Sequence, residues 1–105
     1  MEAIDPNRLE ENAEKAAKLL KSMSHPSRLM VLCHLLKGES PVSELNQAVP
    51  LSQSALSQHL AGLRQAGLVD TRRESQAIFY RLKSPAVTGI LEALYRIYCN
   101  PNVKE

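Results

Sequence analysis

The 105-residue sequence lacks any long hydrophobic run. No stretch approaches the roughly 18 consecutive apolar residues of a membrane-spanning helix. Residues 1–20 carry acids where a secretory signal would need a basic start and an apolar run. Low-complexity tracts and long-period repeats are also missing. We therefore expect a cytoplasmic protein without a membrane partner, folded as one domain over residues 1–105.

Cysteine is scarce, and the familiar catalytic patterns are missing. The two cysteines, Cys33 and Cys99, are thiols by default in a reducing compartment. The sequence has no CxxC pair, no glycine-rich nucleotide fingerprint and no paired carboxylates placed for catalysis. These absences argue against an enzyme and against a bound cofactor. The net charge of +2 permits nucleic-acid binding without demonstrating it.

Six prolines divide the chain into segments with apolar residues at helical spacing. Four dipeptides are predicted to place a proline at a first helical position, and these are Asp5-Pro6, His25-Pro26, Ser40-Pro41 and Ser84-Pro85. Pro50 and Pro101 follow helical runs that they cannot continue, and Gly38 ends the second helix. The spacing predicts helices over about 6–23, 26–37, 41–48, 52–66 and 85–99.

Residues 68–82 break the helical period. They are rich in β-forming residues around the polar centre Glu74-Ser75-Gln76, which predicts two short strands joined by a turn. The expected order is α1-α2-α3-α4-β-β-α5, mainly α with a small β-hairpin. This order is the winged helix-turn-helix arrangement with one extra helix at each end.

The stretch LSQSALSQHLAGLRQAGLV (51–69) has two faces as a helix. A rotation of 100° per residue puts Leu56, Leu60 and Leu63 on one side. The other side carries amides, hydroxyls and one arginine, which suit base edges in the major groove because Gln pairs with adenine and Arg with guanine or phosphate. A solvated face is the alternative, although such faces usually carry Glu and Lys. The candidate DNA contacts are Ser52, which is also the expected N-cap, and Gln53, Ser54, Ser57, Gln58 and Arg64.

Three arginines flank the turn of the predicted hairpin. Arg72, Arg73 and Arg81 are expected to lie along phosphates or in the minor groove. The helix and the hairpin together predict binding to double-stranded DNA. A winged helix that binds only proteins is a weaker interpretation.

The sequence resembles the ArsR/SmtB family of winged-helix repressors over nearly its whole length. The matching stretches are MSHPSRLMVLCHL (23–35), SELNQAVPLSQSALSQHLAGLRQAGLV (43–69) and RRESQAIFYRL (72–82). The resemblance implies a homodimer joined through its first and last helices. Such a dimer binds operator DNA at an imperfect inverted repeat until an inducer releases it.

The metal sites of that family are missing from this sequence. Where the thiolate type has ELCVCDL, this chain has ESPVSEL (39–45), with Pro41 and Ser43 at the thiol positions. The last-helix type needs one Asp and three His residues, which the last helix here does not supply. His25, His34 and His59 are spread over three predicted helices. We therefore expect no metal, and a metal-responsive repressor with a non-standard site is an alternative.

The two cysteines resemble the thiol sensor of the HlyU/BigR-like branch, with VLCHLL around Cys33 and YRIYCN around Cys99. The resemblance implies that reactive sulfur species or oxidants link the two thiols and release the DNA. Taken singly, each cysteine could be a small buried apolar residue, and for Cys33, close to Leu32 and Leu36, this is the favoured interpretation. Arg96, one turn before Cys99, would favour its thiolate, whereas the helix dipole opposes it. A DNA-binding anti-repressor or activator that displaces another protein is the other alternative.

Overall fold

The computed structural model describes residues 5–99, which form five α-helices and one three-stranded antiparallel sheet. The helices are α1 (Pro6–Met23), α2 (Pro26–Leu35), α3 (Val42–Ala48), α4 (Gln53–Gln65) and α5 (Pro85–Tyr98). The strands are β1 (Ser40–Pro41), β2 (Val69–Glu74) and β3 (Ala77–Leu82). The predicted winged helix-turn-helix order is confirmed, with one short strand added. Pro101 lies outside the described residues.

Three of the four predicted helix starts are confirmed. At each, a side chain accepts a hydrogen bond from a backbone N–H two or three residues on, and a proline follows; these residues are Asp5, His25 and Ser84. The fourth prediction is wrong. Pro41 precedes the first turn of α3 and belongs to β1, where Ser40 pairs with Tyr80 of β3. The buried hydroxyl of Ser40 donates to the Glu44 carboxylate at 2.8 Å instead of capping the helix.

Two glycines with positive φ end helices and redirect the chain. α2 ends at Leu35, two residues before its predicted end, and Gly38 at φ +137° turns the chain into β1. After α4, Gly67 has φ +80°, and the Leu68 N–H donates to the Leu63 carbonyl at 3.0 Å. This is a Schellman ending, which satisfies a free carbonyl and sends the chain into β2.

The middle strand β3 pairs with both other strands. β2 and β3 pair from Val69–Leu82 to Glu74–Ala77, and the turn between them contains Ser75 at φ +57°. Leu82 and Tyr80 pack against the buried core beneath the sheet. The largest buried apolar side chains of that core come from all helices except α1, and they are Leu32, Leu45, Leu56, Leu60, Leu63 and Leu91.

Helix α1 contributes little to this core. Helical spacing puts its apolar residues Leu9, Ala13, Ala16, Leu20 and Met23 on one stripe. Of these only Met23 is buried, whereas Leu9 and Leu20 are 53% and 51% exposed. α5 carries exposed Tyr95, Ile97 and Tyr98, so both terminal helices present apolar surface. None of the helices within residues 5–99 is long and apolar enough to span a membrane.

Candidate nucleic-acid interface and thiol groove

Helix α4 presents the two faces that its sequence predicts. Leu56, Leu60 and Leu63 are at most 2% exposed, which confirms the inward side. The N-cap prediction is confirmed as well, since the Ser52 hydroxyl accepts a hydrogen bond from the Ala55 N–H at 3.2 Å. The outward side is open to solvent along its length, and its exposed members include Ser52, Gln53, Ser54, Ser57, Gln58 and Arg64.

The hairpin curves around one flank of this outward side. A groove of about 550 Å³ lies between α4 and β3, with Ser57 and Arg64 on one wall and Tyr80 on the other. A second groove, of about 720 Å³, runs from Gln53 to Gln76 at the turn of the hairpin. Val42 and Ile78 line both grooves, so the helix and the hairpin frame two adjacent grooves.

Three polar residues that were not predicted line the second of these grooves. Ser43 and Gln47 of α3 and Gln76 of the hairpin turn line the same groove as Gln53. The spacing of four residues between Ser43 and Gln47 was available as a signal, because it puts both on one side of a short helix. Nothing local in the sequence reveals that the hairpin turn folds back towards α3.

The three hairpin arginines have different surroundings. Arg72 binds Glu39 and Glu74, with its guanidinium 2.6 Å from an oxygen of each. Arg81 lies 3.3 Å from Asp70. Within residues 5–99, Arg73 has no carboxylate partner. The three side chains therefore do not form one free basic cluster.

These ion pairs help to lower the pKa values of two of the carboxyl groups that form them. Hydrogen bonds from Arg72 hold the pKa of Glu39 below its ordinary value. The Thr71 N–H, and then Arg81, lower the pKa of Asp70 in the same way. Both carboxylates are therefore charged at neutral pH, and they compensate the arginines that they face.

The inner side of α4 is tied to two other helices by a single guanidinium. Arg28 of α2 donates from Nε to His59 Nδ1 at 3.1 Å and from Nη1 to the Ser22 carbonyl at 2.9 Å. The His25 and His59 rings lie 4.4 Å apart. A Cβ at Gly62 would stand 2.4 Å from Arg28 Nη2, so the glycine leaves room for the guanidinium. Arg28 thus joins α1, α2 and α4.

Both cysteines are exposed, which contradicts the interpretation of either as a buried apolar residue. Cys33 lines a groove of about 670 Å³ between α2 and α5, together with Lys37 and Arg96. Although the residue is exposed overall, partial burial of its thiol in this groove raises the pKa of Cys33, and a negative charge on Cys99 raises it further. The two sulfurs are therefore close enough for one charge to affect the other.

Some polar residues near Cys33 face the groove and others do not. His34 turns away from the groove, with its Nε2 3.9 Å from a Glu44 oxygen. Lys37 and Arg96 face into the groove, where Glu92 adds one carboxylate. Among residues 5–99, no group of three or more His, Cys, Asp or Glu side chains is arranged to hold a metal ion.

A family model and several known regulators match this chain. Residues 25–71 match the model of bacterial regulatory proteins of the arsR family. The transcriptional activator HlyU of Vibrio cholerae is 52% identical over 90% of this chain and 87% of its own length. The biofilm growth-associated repressor of Agrobacterium fabrum is 48% identical over 89% of this chain and 80% of its own length.

The fold agrees with these relatives. The solved structure of reduced HlyU from Vibrio cholerae N16961 superposes with a TM-score of 0.85 at 52% identity, covering 89% of this chain and 98% of that chain. All of these relatives are transcriptional regulators rather than enzymes. The chain therefore belongs to the ArsR family, in the branch of HlyU and the biofilm growth-associated repressors, and is a DNA-binding transcriptional regulator.

Proposed function

We propose that this regulator is a homodimeric repressor that binds operator DNA while Cys33 and Cys99 are thiols and leaves it when they are linked. The operator would be an imperfect inverted repeat, and the inducer a reactive sulfur species or an oxidant. The observation that carries the switch is that both cysteines of the chain are exposed, that Cys33 lines the groove between α2 and α5, and that the charge of Cys99, directly after α5, raises the pKa of Cys33. The whole chain would act as one domain in the cytoplasm, where the operator lies.

The outward side of α4 is proposed to read bases in the major groove. Gln53 and Gln58 are suited to adenine, and Arg64 to guanine or phosphate. The small exposed residues Ser54 and Ser57 let the helix approach the groove floor. Each well-placed bidentate contact contributes about 1–3 kcal/mol of discrimination.

The hairpin is proposed to contact the phosphates of the DNA backbone, and Arg73 is the foremost candidate for this contact. Its guanidinium has no carboxylate partner within the described residues, so binding a phosphate breaks no existing ion pair. Arg72 and Arg81 would have to leave Glu39 and Asp70 to do the same.

Dimerisation is proposed to occur through α1 and α5, because apolar side chains on both helices are exposed in the single chain. A two-fold dimer would place two α4 helices about 34–36 Å apart, which matches successive major grooves on one side of B-DNA. An inverted repeat is the sequence that such symmetry reads.

The chemistry of the switch balances with a persulfide, RS–SH, as the oxidant. The Cys99 thiolate attacks the outer sulfur, forming Cys99–S–SH and releasing RS⁻. The Cys33 thiolate then attacks the Cys99 sulfur, forming the Cys33–S–S–Cys99 bond and releasing HS⁻. The released sulfide carries the two electrons that the cysteines lose. Cys99 is assigned the first attack because burial raises the pKa of Cys33. A second persulfide that reacts before closure would add sulfur to the bridge.

Linking the two thiols would tie α2 to the dimerising helix α5. α2 also holds α4 through Arg28, so a shift of α2 against α5 would change the spacing of the two reading helices. Losing a few base and phosphate contacts is enough to release the DNA. The proposal therefore requires two states that differ in how α5 packs against α2.

A DNA mobility shift with and without a persulfide donor tests the switch. The probe is a duplex selected from a random library by the thiol form of the protein. We expect the donor to abolish wild-type binding, and to leave the binding of Cys33→Ser and Cys99→Ser unaffected. Release of both variants by the donor would eliminate the switch. Mass spectrometry of the treated wild type distinguishes a disulfide from a bridge with added sulfur.

The reading face is tested on the same duplex. Gln58→Ala should lose selective binding, whereas Asn7→Ala, which changes an exposed amide about 140° from Leu20 around α1, should retain it. Equal affinity of Gln58→Ala and the wild type would remove α4 from the proposed interface.

A second candidate function is activation by displacement of another DNA-bound protein. The observation that favours it is that one relative, HlyU of Vibrio cholerae, is a transcriptional activator. Footprinting on a target promoter separates the two. A site that overlaps the −35 and −10 elements supports repression, and an upstream site that is shared with another protein supports displacement.

A further inference from the structure

The register of the sheet divides the hairpin residues between two faces. Cross-strand partners share a face and successive residues alternate. Arg73 pairs with Ile78. Ile78 shares a face of β3 with Tyr80, two residues on, and Tyr80 packs against the core on the side of α4. Arg72 pairs with Phe79 and therefore lies on the opposite side, the outer face of the sheet.

On the outer face, the Arg72 side chain crosses the whole width of the sheet. It starts on the edge strand β2, passes over the Phe79 ring of the middle strand with its guanidinium carbon 4.5 Å from the ring centroid, and reaches Glu39 beside the opposite edge strand β1. Nε lies 2.8 Å from both Glu39 oxygens, and Nη2 lies 2.6 Å from one of them. Nη1 turns back to Glu74 at 2.6 Å.

We propose that Arg72 is a positioning residue that fastens the hairpin to the segment between α2 and α3 through Glu39, and does not contact phosphate. The inference rests on the proposed DNA binding and gives one of its predicted contact residues a different role. Because β1 is only two residues long, few backbone hydrogen bonds hold this edge of the sheet. The Arg72 side chain adds a second connection between the same strands.

The charges around Arg72 support this assignment. Two carboxylates face one guanidinium, so a phosphate brought to Arg72 would meet net negative charge. Arg73, on the face towards α4, has no carboxylate partner in the described part of the chain. A phosphate-contacting residue contributes to the salt dependence of binding, whereas a positioning residue changes affinity alone.

The experiment measures binding to the selected duplex by fluorescence anisotropy at several KCl concentrations. The variants are Glu39→Gln, Arg72→Gln and Arg73→Gln. Asp70→Asn is the matched control, since it removes one carboxylate from the same face but faces Arg81 rather than Arg72. Thermal melts confirm that each variant is folded.

We expect Glu39→Gln and Arg72→Gln to weaken binding by about three- to tenfold, with the wild-type slope of log affinity against log salt. Arg73→Gln should make that slope shallower by about two for the dimer, one for each protomer. Asp70→Asn should bind at least as tightly as the wild type, because it removes negative charge and leaves the link between Arg72 and Glu39 intact.

Changes in affinity or in salt slope opposite to these would overturn the inference. If Arg72 contacts phosphate, Glu39→Gln frees it, and binding becomes tighter with a steeper salt slope. A shallower slope in Arg72→Gln, or no change in affinity in either variant, also overturns the positioning role. If the wild type selects no duplex, the proposed operator binding itself is contradicted. That result is distinct from a failure of the Arg72 role, which is judged only from the variants.

Discussion

Cys33 occupies a groove that keeps its thiol protonated at neutral pH. Burial is the larger cause of its raised pKa, and the negative charge of Cys99 is the smaller one. The second cause exists only while the two sulfurs are near each other. It therefore offers a test, without any oxidant, of whether the two sulfurs lie near each other.

We expect Cys99→Ser to lower the pKa of Cys33, because the repelling charge disappears while the burial remains. The pH dependence of Cys33 alkylation by iodoacetamide, followed by mass spectrometry, measures this pKa. The midpoint should move down in Cys99→Ser and stay above the ordinary value for an exposed thiol. An unchanged midpoint would place the sulfurs too far apart for direct linkage.

His59 makes the stability of the fold depend on pH. Burial, and then the charges of His25 and Arg28, lower its pKa. Its Nδ1 accepts the hydrogen bond from Arg28, so protonation removes that bond. The unfolded chain binds the proton at a higher pH than the folded chain. The stabilisation is therefore complete above the ordinary histidine pKa, about 6.5, and is lost as the pH falls through the lowered value.

Urea unfolding between about pH 7 and pH 5 should show this loss. His59→Gln, which retains an acceptor for Arg28, should flatten this part of the profile. His34→Gln leaves the His59 contacts intact and should keep the wild-type slope. A His59→Gln profile as steep as the wild type would assign the loss to other groups.

At the scale of the elements, Arg28 connects the end of α1 to the inner side of α4. The closeness of the contact depends on Gly62, where a Cβ would stand 2.4 Å from the guanidinium. A glycine inside a helix normally costs about 1 kcal/mol relative to alanine. Gly62 therefore lowers the intrinsic stability of α4 but leaves the space that the Arg28 guanidinium occupies.

A double-mutant cycle tests this exchange. Gly62→Ala in an Arg28→Ala background should raise the free energy of unfolding by about 0.5–1 kcal/mol, because helix propensity acts alone. In the wild type the gain should be smaller or negative, since Arg28 must leave His59 and Ser22. Equal gains in both backgrounds, measured by urea unfolding, would show that Arg28 and Gly62 are not coupled.

The helices were predictable because their signals are local. A capping side chain and a following proline act within three residues, and three of the four starts that were predicted this way are confirmed. Ser40-Pro41 shows the same local pattern, yet it forms β1 because Ser40 pairs with Tyr80, forty residues later. Arg72 and Glu39 meet across the sheet for the same reason. Contacts of this kind depend on strand register, which no short window of sequence contains.

At the scale of the whole molecule, the winged-helix order was predictable, but the surroundings of single side chains were not. The inward leucines of α4 follow from helical periodicity. The exposure of Cys33, and the meeting of His25 with His59, depend on how α2 packs against α5 and α4. The apolar stripe of α1 was also predictable, and its Leu9 and Leu20 remain exposed among the described residues.

The exposed stripe leads to a prediction about assembly. Leu20 is 51% exposed on α1, and Tyr98 is 71% exposed on α5. If these surfaces bury each other in a dimer, Leu20→Glu places an unpaired charge in the interface and should yield monomers. Asn7→Glu adds the same charge about 140° away around α1 and should leave the dimer intact.

Sedimentation velocity measures the oligomeric state of the two variants, and the selected duplex measures its consequence. A monomer carries one reading helix and reaches one half-site, so Leu20→Glu should bind a full inverted repeat no more tightly than a single half-site. Asn7→Glu should retain the preference for the full repeat. A dimeric Leu20→Glu would move the interface away from α1, and the spacing of the two α4 helices would then have to be set by α5 alone.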